Sequence, residues 1–95
     1  MDFDNILAEN QRVFVDVWAP WCGPCKATSP LVEEIEQEVE DVKVVKINAD
    51  EEPELVQSLG VTAIPMFMYY KNGELVDSKI GAVNKNGMLE LIEQL

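Results

Sequence analysis

Between Val13 and Trp18 apolar residues fill both alternating positions, with Val13, Val15 and Val17 on one side and Phe14 and Trp18 on the other. That pattern predicts a central strand covered on both faces. Asp16 interrupts it on the Phe14 and Trp18 side, and a lone carboxylate in such a strand requires an explanation. Upstream, Phe3, Ile6 and Leu7 have i, i+3, i+4 spacing and predict a short helix over residues 2–10. Downstream, WCGPCK leads into helical periodicity through Leu31, Val32, Ile35 and Val39, a long helix from Cys22 to Glu40. Pro24 fits its first turn, whereas Pro30 falls inside it and should kink it.

Val42–Asn48 predicts a second strand, with Lys46 as an ionisable group among apolar neighbours. Asp50–Leu59 predicts a short helix, with Pro53 near its start and Gly60 as its stop. A third strand follows over Ile64–Tyr70, with Met66, Met68, Tyr69 and Tyr70 as core and hairpin packing. Asn72-Gly73 is a strong hairpin signal leading to a fourth strand over Leu75–Ile80. Gly81 breaks that strand. Met88, Leu91, Ile92 and Leu95 then form the apolar side of a last helix capped by Asn84 or Asn86. Strands separated by helices are expected to pair in parallel and the hairpin strands antiparallel, giving an α/β fold with a mixed sheet and helices on both faces.

Composition narrows the chemistry. The 95 residues suffice for one domain, 1–95, with no room for a large cofactor, and none is expected. A net charge of -11 repels phosphate backbones and anionic lipid, so neither nucleic acid nor a membrane is an expected partner. The acidic stretches Glu33–Asp41 and Asp50–Glu54 are solvated helix faces on the plainest reading and a docking patch on the alternative. No apolar run reaches the roughly 18 residues of a membrane span and residues 1–10 lack an export pattern, so the expected compartment is the cytoplasm.

The only cysteines are Cys22 and Cys25, and there is no histidine. A four-ligand Cys/His zinc site within one chain and a Cys-His catalytic pair are both excluded. A disulfide between them would close too short a ring to constrain much of the unfolded chain, so reversible redox chemistry makes better sense of the spacing. Cys22 follows a strand end and opens a helix, where free N–H groups and the helix dipole favour a thiolate. Cys22 should therefore be the exposed attacking thiol, and Cys25, one turn deeper, the resolving thiol.

The chain resembles the thioredoxin family over almost its whole length. The resemblance rests on VDVWAPWCGPCK at 15–26, Pro30, KINAD at 46–50, Ile64-Pro65, KNG at 71–73 and Gly81. It implies a thioredoxin-like four-stranded sheet in the order 42–48, 12–18, 64–70, 75–80. It further implies a thiol–disulfide oxidoreductase in which the Cys22-Gly23-Pro24-Cys25 motif reduces protein disulfides and is recharged by a thioredoxin reductase-type electron donor. By the same resemblance Asp16 is the buried aspartate that handles the Cys25 proton and Lys46 its charged neighbour. Pro65 is then a cis-proline beside the active site, and Trp21, Ile64, Gly81 and Ala82 form the substrate-contacting rim. From the residues alone, burial should raise the Asp16 pKa and Lys46 should lower it again, leaving either a base or a structural ion pair.

The chain departs from the family pattern at Val17, Ala63 and Met66, and lacks the strand that usually precedes the first helix. That absence leaves Val42–Asn48 as an open edge guarded by Lys43 and Lys46, where Val44, Val45 and Ile47 would invite a second chain, although the net charge favours a monomer. A second function class stays open: a binding module without redox turnover, acting as a subunit or pooling the thiolates of two chains around zinc or an iron–sulfur cluster. A third, an oxidising disulfide-forming enzyme, is disfavoured by Gly23-Pro24 and the missing export pattern.

Overall fold

The computed structural model describes residues 1–95. The elements in chain order are α1 (Phe3–Glu9), β1 (Arg12–Trp18), α2 (Gly23–Glu38), β2 (Lys43–Asn48), α3 (Pro53–Ser58), β3 (Met66–Lys71), β4 (Glu74–Ile80) and α4 (Lys85–Glu93). The sheet order is β2-β1-β3-β4, as the family resemblance implied. No helix is long and apolar enough to cross a membrane.

The two-sided apolar pattern of β1 is realised as two cores. Val13, Val15 and Val17 pack with Val45, Ile47, Met66, Met68, Tyr70 and Phe3, under α1 and the α3 segment. Phe14 packs with Val44, Phe67 and Tyr69 under Val32 and Ile35 of α2, Met88 and Ile92 of α4, and Leu95 just beyond it. Each such side chain taken out of water stabilises the fold by about 1.5–3 kcal/mol, which keeps β1 at the centre.

One pairing differs from the sequence expectation. β1 and β2 are parallel, but β1 and β3 are antiparallel although helices lie between them in the chain. Trp18 pairs with Asn48 at the end of β2, and Val17 pairs with Met66 at the start of β3. The segment 49–65 thus leaves and re-enters the sheet at the same end. Its helix of six residues, about 9 Å long, does not carry the chain back along the strands.

Several boundaries also move, each for a local reason. α3 starts at Pro53 because Asn48 organises a turn: its side chain accepts from the Asp50 N–H at 2.9 Å and its carbonyl from the Glu51 and Glu52 N–H groups at 3.1 and 3.0 Å. β3 starts after Pro65, which has no N–H to give a ladder. α2 runs through Pro30 as one helix and ends two residues early at Glu38, with Asp41 at φ 60° in the turn beyond. Asn84, not Asn86, caps α4, accepting the Gly87 N–H at 2.7 Å. Asn72 and Gly73 both have positive φ (51° and 83°), the conformation a tight hairpin turn requires.

β2 is an edge strand, but Val44, Val45 and Ile47 are 8%, 5% and 0% exposed. Contrary to the expected apolar lure, this edge offers a neighbour little beyond its backbone.

Candidate active site

The end of the sheet where β1 and β2 finish and β3 begins gathers the chemistry. After β1 the chain turns through Ala19 and Pro20, and the Cys22 N–H bonds to the Ala19 carbonyl at 3.1 Å. Cys22 is the N-cap of α2, Gly23 its first residue and Pro24 its second, where a missing N–H leaves no helical bond unmade. The Cys25 N–H points back at the Cys22 sulfur, 3.2 Å away. The two cysteines form a disulfide with Cα atoms 5.3 Å apart. Below it the Thr28 hydroxyl donates to the Cys25 carbonyl at 3.1 Å.

The expected exposure difference between the thiols is not found in this oxidised state: Cys22 is 4% and Cys25 3% exposed. Both cysteines pack on Ala19 with Trp18 and Ile64 beside them. Gly23 and Pro24 are the exposed part of the motif. What distinguishes the cysteines is electrostatic. Only Cys22 receives an N–H from the first turn of α2, and a thiolate there also faces the positive end of the helix.

Asp16 sits mid-strand on the β1 face that α2 covers. It is 3% exposed, and its Oδ1 has no hydrogen-bond partner. Burial pushes its carboxyl up to about 6, with the Lys46 charge pulling it partly back. Lys46 is the direct cross-strand neighbour of Asp16. It is not buried as expected, however: its side chain is 34% exposed, and its ammonium lies 3.5 Å from Glu36 Oε1 on α2. An edge strand leaves a long side chain free to reach solvent, so Lys46 is a charged neighbour of Asp16 without being its salt-bridge partner.

The Ile64–Pro65 bond is cis, and Pro65 is buried. The Gly81 N–H donates to the Pro65 carbonyl at 2.8 Å, with Gly81 at φ 93°, so the turn after β4 is fastened to the proline. Ala82 follows it and is exposed. Beside the disulfide runs an open groove of about 380 Å³ lined by Trp21, Ala49, Val56, Val61, Thr62, Ala63 and Ile64. Trp21 is 69% exposed, and its indole N–H is held by Asp50 Oδ1 at 3.1 Å.

The site thus brings together Cys22, Cys25, Trp21, Ile64 and Pro65, fastens Gly81 to the proline, and keeps Asp16 and Lys46 on the sheet beneath α2. Sequence reasoning missed Asp50, Thr28, Glu36 and the groove wall over 49–63. Val61, Ala63 and Ile64 ahead of the proline were a usable signal for that wall. The Trp21–Asp50 contact spans 29 positions and carries no local signal. No three His, Cys, Asp or Glu side chains converge as a metal site would require.

Comparison with known proteins places these features in company. The family model described as Thioredoxin matches residues 1–94. The thioredoxin of Rickettsia prowazekii is 45% identical over 92 residues, covering 96% of this chain and 88% of that protein. The thioredoxin of Pyropia yezoensis is 46% identical over 91 residues, covering 95% and 85% respectively. Among solved structures, Plasmodium falciparum thioredoxin superposes with a TM-score of 0.89 at 39% identity, covering 97% of this chain and 89% of that one. The oxidised mitochondrial thioredoxin 3 of Saccharomyces cerevisiae superposes with a TM-score of 0.91 at 36% identity, covering 99% and 88%.

Proposed function

This chain belongs to the thioredoxin family, and from that premise we propose how its own residues divide the work of the reaction. The protein is a thiol–disulfide oxidoreductase that reduces disulfide-bearing substrates by dithiol–disulfide exchange at Cys22 and Cys25. The observation that carries the division is the Cys25 N–H directed at the Cys22 sulfur at the head of α2.

In the reduced protein Cys22 is the nucleophile. Its thiolate attacks one sulfur of a client disulfide, a mixed disulfide forms, and the first client sulfur departs as a thiolate that takes a proton from water. Cys25, inside the first turn, resolves the intermediate. Its proton passes to the Asp16 carboxylate, its sulfur attacks Cys22 Sγ, the Cys22–client bond breaks and the second client sulfur leaves. Two electrons have moved to the client, and the Cys22–Cys25 disulfide of this structure is the product state.

Asp16 suits the proton step because a carboxyl raised to about 6 is a far better match to a thiol proton near neutral pH than an ordinary aspartate. Lys46 keeps that carboxylate from becoming too basic to ionise. Gly23 and Pro24 form the exposed tip of the motif. Trp21, Ile64, Pro65, Gly81 and Ala82 form the surface a client strand meets, and the groove over 49–64 extends it.

Residues 1–95 act as one domain, a reading supported by two cores that share one sheet. A reductase-type dithiol donor recharges the pair, since the exchange consumes two electrons per turnover. The cytoplasm is the fitting compartment, because a reductant works only where the surroundings keep its dithiol reduced. The acidic surface favours a monomer.

Reduction of insulin disulfides with dithiothreitol as donor, comparing the protein with Cys22→Ser, tests the reading. The parent should accelerate precipitation of the insulin B chain and the variant should not. Equal rates would remove Cys22 from the role.

A further inference from the structure

Lys46 is the charge nearest Asp16 by strand register, yet its only ion pair is with Glu36 on the exposed side of α2. Asp16 and Lys46 are cross-strand partners in parallel strands, so their side chains leave the sheet on the same face. α2 lies over that face, burying Val32 and Ile35 against Phe14 and Val44. Glu36, the residue after Ile35, is half-exposed at the border of this contact, where the flexible Lys46 side chain can reach it. The buried Asp16 Oδ1 is left without a partner. We propose that Glu36 is a positioning residue for the reaction, holding the Lys46 ammonium at the rim of the sheet and so withholding part of its charge from Asp16. The inference rests on the reading of Asp16 as proton acceptor.

The surroundings of Asp16 leave Lys46 as the route for this control. From β3 the residue opposite Asp16 is Phe67, which carries no charge, and beyond it Lys79 of β4 is exposed. From α2 the buried side chains are Cys25, Thr28, Val32 and Ile35; of these only Cys25 titrates, and it is in the disulfide. Lys26 and Glu33 of α2 are exposed, while Glu34 and Glu38 are engaged by Lys85 of α4 at 3.8 and 2.6 Å. A Lys46 released from Glu36 can shift its charge toward Asp16 and stabilise the carboxylate. Direct repulsion between Glu36 and Asp16 has the same sign, so the test must separate it from the route through Lys46.

The experiment follows the Asp16 carboxyl carbon resonance against pH in the oxidised protein, alongside the pH profile of insulin reduction, for the parent, Glu36→Gln, Lys46→Met and the double variant. Glu36→Gln should lower the Asp16 midpoint by about half a pH unit, the size of a partly exposed charge interaction. Lys46→Met should raise it, and adding Glu36→Gln to Lys46→Met should change nothing further. The acid limb of the reduction profile should move with the resonance. An unmoved midpoint in Glu36→Gln, or an equal shift with Lys46 absent, overturns the positioning role. A shifted resonance with an unshifted reduction profile instead overturns Asp16 as proton acceptor, and with it any part for Glu36 in the reaction. Asp16→Asn gives an independent reading of that second failure, because it should abolish the acid limb if Asp16 is the acceptor.

Discussion

The Cys25 backbone N–H lies 3.2 Å from the Cys22 sulfur, so the amide of one cysteine is the donor that the other's sulfur meets at the head of α2. The contact follows from Cys22 capping α2: an N-cap group receives the N–H three residues on, and here that group is sulfur. The spacing of the two cysteines therefore sets both the size of the disulfide ring and the hydrogen bond that the Cys22 sulfur receives.

Cys22 should be alkylated faster than Cys25 in the reduced protein at pH 7, by about tenfold or more, given how strongly a helix N-terminus favours a thiolate. Because the oxidised structure shows no difference in burial, the selectivity should persist at moderate urea concentrations that leave α2 intact. Peptide mass analysis after a short iodoacetamide pulse checks it, and equal labelling would remove the asymmetry.

Asp16→Asn should stabilise the protein in a pH-dependent way. The Asp16 carboxyl is raised in the folded state to about 6 from 3.8, so the folded form holds its proton where the unfolded chain has lost it. The parent therefore loses stability as pH rises from about 4 through about 6, by about 3 kcal/mol at most. Asn carries no such penalty. Urea unfolding should show parent and variant alike near pH 3.5 and the variant more stable by about 2–3 kcal/mol at pH 8. A gain that is the same at both pH values would point to packing instead of charge.

Ala63→Glu should impair client recognition more than chemistry. Ala63 is exposed and lines the groove beside Trp21, so a carboxylate there places charge where a client strand would lie. Insulin reduction should slow about fivefold, equivalent to roughly 1 kcal/mol of lost contact. Reduction of a small aromatic disulfide should be nearly unchanged. Equal losses on both substrates would mean that the groove is not the client surface.

Self-association through the β2 edge should be weak and should grow with salt. The strand has one unpaired backbone edge, but its apolar side chains are buried and Lys43 is exposed on it. Two copies at -11 repel over about 30 Å at 0.01 M salt and about 10 Å at 0.1 M. Sedimentation velocity should find a monomer in dilute low-salt buffer. A tight dimer there would show that the edge is a designed interface.

Sequence alone determined the elements and turns that depend on neighbours within a few positions, although the Asn48 turn moved the start of α3 and α2 ended two residues early. The alternation over 13–18 placed β1 at the centre, Asn72-Gly73 fixed the hairpin, and Cys22 ahead of a helical run marked the reactive end, since periodicity, turn chemistry and capping are local. Asp16 also stood out, as one carboxylate in an apolar strand. Tertiary structure decided what depends on where distant segments meet. The antiparallel entry of β3 follows from segment 49–65 returning to the end of the sheet it left. Trp21 is steadied by Asp50 and Lys46 is held by Glu36 because separate elements dock together. Periodicity reports which face a side chain takes but not which partner it finds there, and the partner sets the charge that each group of this site feels.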